Sequence, residues 1–582
     1  MKTRYSPHVR NAAIGTLVAA GLVAGVLVLG PGEDAPAPAS GPAARAMLAA
    51  GAGAPASLND LSALIANRER WVRSRPADEA AWAQLGSAYV ERAALVGGWA
   101  DYPKAEKALR RSLAVLPAGK GNAEAELGMA ALANARRDYA SAKRWAEGVR
   151  ARTPKRWTAY PVLIDAYSGL GDYKAAARSL DMLQKLRPGT APTLGRAALV
   201  NRDHGLREDA AAKAYEATTR VGSKAERAVA LHRLGELAWE QGEPADAVGY
   251  YDTALRLDPG HHPSLAGRAR ALAALGRKDE AMRDYEDALE VLPLPEYALE
   301  AGELYESLGL DGDARTQYEL VRTRATLARE FGVSEELVLA RYEADHGDAQ
   351  AAVRRLTQEW ERGRRNVYVA DALGWALHRA GRSDEGLVYA KRVASVGMRN
   401  ALFSYHQGKI ERALGFGGPA RRHLAEALRI NPYFSPLLVK PAEKALAELG
   451  EAPLGSPPDD VTGRPPLSEP DEPEEITPSP SASASASPSS RDARSGEEGR
   501  RNENPVGGGG DAGRGPQDEG GGRRGPQDQG QDVRPPENGN RDQRGPADAG
   551  QDGHGPEGGS RAPEPGPPTS PASPASPASP AG

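Results

Sequence analysis

Apolar and polar positions alternate with a helical period through most of the middle of the chain. The clearest stretch runs from Ala228 to Pro259. Leu231, Leu234, Gly235 and Ala238 fall at i, i+3, i+4 and i+7, one stripe of a helix. Gln241, Gly242 and Glu243 interrupt the pattern as a turn. Ala247, Tyr251, Ala254 and Leu255 form the stripe of a second helix, ended by Asp258 and Pro259. Small residues at 235 and 247 let the two helix axes approach, and Tyr251 is placed to fill the space before the next pair.

The pattern recurs at a fixed interval. Pro117, Pro154, Pro188, Pro259, Pro293 and Pro432 each follow an Ala- and Leu-rich run, at separations of 37, 34, 71, 34 and 139 residues. These are close to whole multiples of a unit of 34–35 residues. Gly171, Gly205, Gly242, Gly276, Gly309, Gly347, Gly381 and Gly415 recur every 33 to 38 residues and give a second marker in phase with the first. Unrelated amphipathic helices would not keep both markers in step, so the middle of the chain is a repeat array.

The unit resembles a tetratricopeptide repeat, whose pattern places Trp, Leu, Gly and Tyr in a first helix, then Ala, an aromatic, Ala and a closing Pro. Trp82, Leu85, Gly86 and Tyr89 carry it, followed after an insertion by Ala105, Leu109 and Pro117. Tyr160, Leu163, Tyr167, Ala176, Leu180 and Pro188 carry it again. So do Leu265, Ala269, Leu272, Ala281, Tyr285, Ala288 and Pro293, then Gly302, Tyr305, Ala314 and Tyr318, then Gly374, Gly408, Ala420, Leu424, Ala427 and Pro432. About ten units fit between roughly 79 and 432. The resemblance implies an all-α fold: a right-handed α-solenoid of helix pairs, with a concave groove lined by the first helices.

Departures from the pattern are informative. About seven extra residues around Val96–Ala100 predict a loop or a helix extension in the first unit. Units near 191–222 and 333–364 lack the closing Pro, the latter being the weakest of the set. Leu58, Leu61, Leu64, Ile65 and Trp71 read as an unpaired second helix before the array, and 437–449 as a terminal cap. End units need caps because a stacking face would otherwise meet water.

Before the array, Lys2, Arg4 and Arg10 precede an uncharged apolar run over 12–30, and Glu33 and Asp34 follow it. The run is long enough for about 28 Å of helix, near the hydrocarbon thickness, and the flanking charges place its N-terminus in the cytoplasm. Residues 1–46 therefore read as a signal peptide or N-terminal membrane anchor. Ala37 and Ala39, and again Ala44 and Ala46, have the small-x-small spacing of a cleavage site. Gly21 and Gly25 have the spacing of a helix-pairing face. Either way the remainder is expected to be exported, facing outward from the membrane or secreted to the cell wall. Together with the Ala, Gly, Arg and Pro bias, the chain is similar to exported tetratricopeptide repeat proteins of actinobacterial type.

Composition divides the chain further. The repeat region is taken as 57–450, and 451–582 as a disordered, acidic, Pro/Gly/Ser-rich tail. From 456 onward only Val461, Leu467, Ile476, Val506 and Val533 are bulky and aliphatic, with no aromatic. Such a segment cannot bury enough surface to offset its ordering entropy. The net charge of −4 is the balance of a tail at −11 and a body at +7. Neither shows the dense basic stripe of a nucleic-acid binder, and no nucleic-acid partner is expected. An Arg-Gly-Pro-x-Asp motif recurs at 514, 524 and 544, and Ser-Pro-Ala repeats close the chain. This composition makes a semi-flexible spacer suited to threading a cell wall.

Chemistry is sought next. There is no cysteine, which excludes disulfides, thiolate catalysis, Cys-ligated zinc and a lipoprotein anchor. The ten histidines show no ligand spacing, and the His261-His262 pair stands in a predicted loop. Gly119-Lys120 lacks the Ser or Thr and the preceding glycine of a phosphate loop. No G-x-S-x-G elbow occurs. The chain is read as non-enzymatic, with no cofactor and no metal.

What remains is recognition of a protein or peptide in the groove. Phasing each unit on the motif turns His232, Glu236, Trp239 and Arg270 inward, followed by Tyr368, Asp371, Trp375 and His378, then Tyr405, Lys409 and Arg412. Exposed aromatics beside Arg and Lys are the residue types that dominate interface energies; the alternative is that Trp375 packs against a neighbouring helix and the charges form a solvated face. Family members that grip a C-terminal carboxylate use Lys and Asn inward, and Asp165, Glu236, Arg270, Glu303 and Trp375 stand there instead. The chain is therefore expected to be an adaptor or assembly scaffold, with two other classes open. One is an accessory factor in an exported-protein assembly pathway such as cytochrome c maturation. The other is an unrecognised metal-binding or enzymatic protein.

Overall fold

A computed structural model of the chain describes residues 41–451. Those residues form twenty-three α-helices and no strand. The first two are α1 (Pro42–Ala52) and α2 (Leu58–Ser74). Ten antiparallel pairs follow: α3 (Glu79–Val96) with α4 (Asp101–Val115), α5 (Ala123–Ala135) with α6 (Tyr139–Arg152), and α7 (Ala159–Leu170) with α8 (Tyr173–Leu186). Next come α9 (Ala191–Asp203) with α10 (Arg207–Thr219), α11 (Lys224–Glu240) with α12 (Pro244–Leu257), and α13 (His262–Ala274) with α14 (Lys278–Val291). The series continues with α15 (Pro295–Ser307) and α16 (Asp311–Glu330), α17 (Glu336–His346) and α18 (Ala349–Glu361), and α19 (Val367–Arg379) and α20 (Ser383–Val396). The pair α21 (Ala401–Ala413) and α22 (Gly417–Ile430) ends it, followed by the cap α23 (Val439–Glu448).

Local signals set these boundaries. The side chains of Asp138 and Asp172 accept from the backbone N–H groups of Ser141 and Ala175 at 3.0 Å and start α6 and α8. Such caps satisfy donors that a helix N-terminus leaves open. Gly171, Gly205 and Gly242 turn the chain between paired helices at φ of 81°, 74° and 79°, a region that side chains with a Cβ avoid.

Packing between pairs follows the periodic positions. Tyr251 is fully buried and lies between Gly235 of its own unit and Gly267 of the next. A Cβ at Gly235 would sit 2.4 Å from the Tyr251 ring, and one at Gly267 would sit 2.6 Å from it. The glycines are thus the space that the tyrosine occupies. Gly302 and Tyr318 repeat the arrangement two units on.

A second order of contact joins distant units. The Arg137 guanidinium donates to Glu335 at 2.5 Å and Glu296 at 2.7 Å. The Asn366 side-chain amide donates to the Gly169 carbonyl at 2.7 Å, and the Val367 N–H donates to the Tyr173 hydroxyl at 3.0 Å. The Asn431 amide donates to the Trp239 carbonyl at 2.7 Å. Gly97 packs against Leu292, and Gly205 against the backbone of Gly397. Apart from the Glu296 contact, the hydrogen-bonded partners are separated by 192 to 198 residues. In each case a turn inside one unit meets a connection between units about one superhelical turn ahead. Consecutive turns of the coil therefore touch along a seam.

One sequence expectation changes, and another is resolved. The helix at 58–74 is not unpaired: α1 packs on it, with Ala46 buried and Arg45 paired to Asp60 at 2.6 Å. The insertion near 96–100 lengthens α3, and its Trp99 is buried with the Arg324 guanidinium 4.5 Å from the ring centre. Of the two forms expected, the helix extension is the one that occurs, and the insertion joins the seam. Among the described residues no helix is long and apolar enough to cross a membrane. The apolar run at 12–30 and the tail expectations for 452–582 lie outside the described residues.

Candidate functional site

First helices of successive units, α11, α13, α15, α17, α19 and α21, surround a cavity of about 620 Å³, to which Lys278 and Tyr285 of α14 also contribute. Residues 431–440, which lead into the cap, close part of it. Trp239, Tyr368, Trp375 and Phe403 give it aromatic surface, and Arg270 and Arg341 give it charge. First helices face inward because the second helices, packed outside them, take the longer path around the coil.

Its most ordered feature is a charged trio. The Arg270 guanidinium bridges both Glu236 carboxylate oxygens, at 2.8 and 2.9 Å, and reaches Glu300 at 3.3 Å. Tyr251 donates to Glu236 at 2.5 Å, and Tyr285 donates to Glu300 at 3.1 Å. Burial alone would raise the Glu236 pKa, but the Arg270 charge, His232 and the Tyr251 hydroxyl outweigh it and hold the carboxyl at about 2. Glu300 shifts the other way: burial, with Glu236 nearby, raises it against the pull of Arg270. One guanidinium shared by two carboxylates favours the better-paired one. Arg270 also lies 5.2 Å over the Trp239 ring, so the charge is held against an aromatic wall.

Each inward residue expected from the sequence has a definite place. Trp239, Arg270, Tyr368, Asp371 and Trp375 line the cavity, and Glu236 stands behind Arg270. His232 does not line it. Its ring packs 5.3 Å from that of His261, and burial holds it neutral, with a pKa of about 4. His378 hydrogen-bonds Ser383 at 2.9 Å and is likewise held at about 4 by burial, then by Lys409. Lys409 is itself lowered by burial, and Arg412 pairs with Glu448 of the cap helix.

For the C-terminal aromatics the packed alternative is the one that occurs. Trp375 is 4% exposed and Tyr405 2%. The Trp375 indole donates to Asp345 at 2.9 Å and stacks on His406, with ring centres 4.2 Å apart. Tyr405 packs between Trp375 and Phe434. A coil wound until its turns touch leaves little room on its inner face, so inward there means core. Tyr368, at 37% exposed, stays open, as does Tyr433 of the segment before the cap, at 41%. Asp371 is buried and accepts from His406 at 2.9 Å.

Sequence phasing missed Glu300, Tyr285, Phe403, His406 and the 431–440 segment. Glu300 follows from the inward position Glu303 by stepping back one turn of α15. Nothing local marks 431–440, because its place depends on the seam. Among the described residues no group of three or more His, Cys, Asp or Glu side chains is arranged to hold a metal.

Residues 238–302 match the family model described as "Tetratricopeptide repeat". That span runs from the end of α11 into α15. The match supports a tetratricopeptide repeat protein. Over 106 residues the chain is 37% identical to the tetratricopeptide repeat and J domain-containing co-chaperone DNJ1 of Fusarium oxysporum f. sp. lycopersici. The similarity covers 18% of this chain and 20% of that curated relative. Among solved structures, the Cut9-Hcn1 hetero-tetramer of the APC/C is 13% identical, covering 63% of this chain and 76% of that one, with a TM-score of 0.34. PilW, a type IV pilus biogenesis factor, is 18% identical over 38% of this chain and 97% of its own, with a TM-score of 0.30. MamA is 20% identical over 29% and 97%, with a TM-score of 0.24. Repeats of this kind generally mediate protein–protein contact.

Proposed function

We propose that the chain is a non-catalytic adaptor or assembly scaffold whose lumen, lined by the first helices of the tetratricopeptide repeats, binds a protein or peptide partner. The observation that carries this reading is the cavity of about 620 Å³, where open Tyr368 and the charged Arg270 and Arg341 share one wall system. An aromatic anchor beside arginine is the composition of interface hot spots. The trio of Glu236, Arg270 and Glu300 adds fixed charge that selects among partners by complementarity.

The reading extends to location. We take the chain to be exported, anchored or released through 12–30, with the tail as a spacer in the cell wall. The buried Ala46 and the Arg45–Asp60 pair favour cleavage near Ala39 over cleavage after Ala46, which would divide α1.

The test uses affinity capture from the native host with the full chain and a Tyr368→Ala/Arg341→Glu variant. Both side chains are exposed, and the one core residue that Tyr368 meets by its ring edge is Phe403, so melting is measured beside capture. Loss of one specific captured protein, with helicity and melting unchanged, is the expected result. Identical capture by both chains would remove the lumen as the binding surface.

A further inference from the structure

Beyond the cavity, toward the N-terminal units, three arginines stand together on α9 and α11. Arg196 of α9 reaches back to Asp165 of α7 at 3.3 Å. Arg202 pairs with Asp203 at 2.7 Å and lies 3.6 Å from Glu240, a residue of the cavity wall. Arg233 of α11 is half-buried and reaches back one helix as Arg196 does, but it meets no carboxylate. Its guanidinium donates to the Gly195 carbonyl at 3.1 Å, and among the described residues that is its one hydrogen bond. Beside it, the Arg196 Nε is buried and donates to no group of the chain.

The electrostatics of Arg233 and Arg270 are opposite. Against burial, Glu236 and Glu300 hold the Arg270 pKa well above its ordinary value. Burial lowers the Arg233 pKa to about 10, Arg202 and Arg196 add to the fall, and Asp165 and Glu236 offset only part of it. A cation drawn from water without a counter-charge works against folding, and groups perturbed in this way cluster at binding sites. The strip also adjoins the open aromatic. Burial raises the Tyr368 pKa and the Arg202 charge pulls against it, so these two groups are neighbours. One guanidinium in excess matches a single negative charge. Asp165 and Glu236, which both act on Arg233, would repel a dianionic phosphate more strongly than a carboxylate.

We propose that Arg233, with Arg196 beside it, is the anion-recognition point of the lumen and takes the carboxylate of an Asp or Glu side chain within a bound peptide. An internal acidic residue fits better than a chain end, because first helices continue along the array on both sides of α9 and α11. The peptide then runs from the acidic contact at Arg233, past Arg202, to Tyr368 and the cavity. This rests on the lumen being the binding surface and adds the chemistry of what it selects.

The probe is an array of random-sequence peptides, each made in Asp, Asn and phosphoserine forms at its central position and offered to the full chain. The tightest set is then titrated by fluorescence anisotropy into the native chain and into Arg233→Gln, Arg233→Lys and Tyr368→Ala variants. On the native chain the Asp form should bind at least about tenfold more tightly than its Asn form. Arg233→Gln should bind both forms as the native chain binds the Asn form, and Arg233→Lys should restore part of the preference. Because glutamine keeps a donor for the Gly195 carbonyl while removing the charge, Arg233→Gln should melt at the native temperature or above it. An array with no Asp form bound above its Asn form, or an Asp preference that survives Arg233→Gln, would overturn the proposal. So would a phosphoserine form bound more tightly than the Asp form, or an Arg233→Gln chain that melts several degrees lower, which would make Arg233 a strut between α9 and α11. An Asp preference that needs Arg233 but is indifferent to Tyr368→Ala would refute the cavity as the binding surface and leave the anion point standing.

Discussion

Gly205 and Gly276 offer a matched pair that separates the seam from the repeat. Both turn the chain between paired helices at nearly the same positive φ, 74° and 78°. A side chain at either position therefore bears the same left-handed backbone cost, about 1 kcal/mol for alanine. Their surroundings differ. A Cβ at Gly205 would lie 2.2 Å from the Gly397 carbonyl oxygen, and one at Gly276 would meet nothing within 4 Å. Relieving that overlap needs a backbone shift near 1 Å across the seam, an overpacking cost of about 1–3 kcal/mol. Gly205→Ala should thus lose about 2–4 kcal/mol and Gly276→Ala about 1 kcal/mol. Urea unfolding of the two variants measures the difference, and hydrogen exchange at 397–398 locates it. Equal losses, with no change at 397–398, would mean that the turns do not bear on one another and would refute the reasoning.

Two further outcomes follow from the inner wall. Trp375→Ala should cost about 3–5 kcal/mol of stability, because Trp375 is a core residue; a clean binding defect with unchanged melting would contradict that placement. Glu236, with its folded pKa at about 2 against an ordinary 4.5, contributes stability that is complete above about pH 4.5. That contribution disappears as pH falls toward 2, so Glu236→Gln should flatten the melting temperature between those values. An unchanged slope would show that the Arg270 pairing carries no net stability.

Much of the fold was legible because the repeat writes itself locally. Gly235, Gly267 and Tyr251 recur at offsets that only stacked helix pairs explain, and the structure places the ring between the two glycines. The inward face was legible to the same extent: Arg270, Tyr368 and Asp371 were reached by phasing alone. Phasing could not separate a lining residue from a buried one. That depends on how tightly the coil winds: Trp375 borders the cavity yet is packed as a core residue, and Tyr405 is buried away from it. The seam left no mark at all. Asn366 reads as an ordinary cap, and it is one, accepting from the Val369 N–H at 3.0 Å. Its other atom donates to Gly169, 197 residues away, and no periodicity encodes that. Helix α1 escaped notice for a different reason, since its run of Ala and Gly has no stripe to distinguish it from a linker.

The central claim is that the first helices enclose a lumen because successive turns of the coil touch. The backbone hydrogen bond from Ser334 to Arg136, at 3.2 Å, brings two positions within reach of a disulfide in a chain that has no cysteine of its own. In an Arg136→Cys/Ser334→Cys variant, mild oxidation should close the bridge in nearly every molecule, seen as one faster-migrating band on a non-reducing gel. An Arg136→Cys/Ser383→Cys control should stay open. Failure of the 136–334 pair to close any more readily than the control would contradict the touching turns, and with them the enclosed lumen.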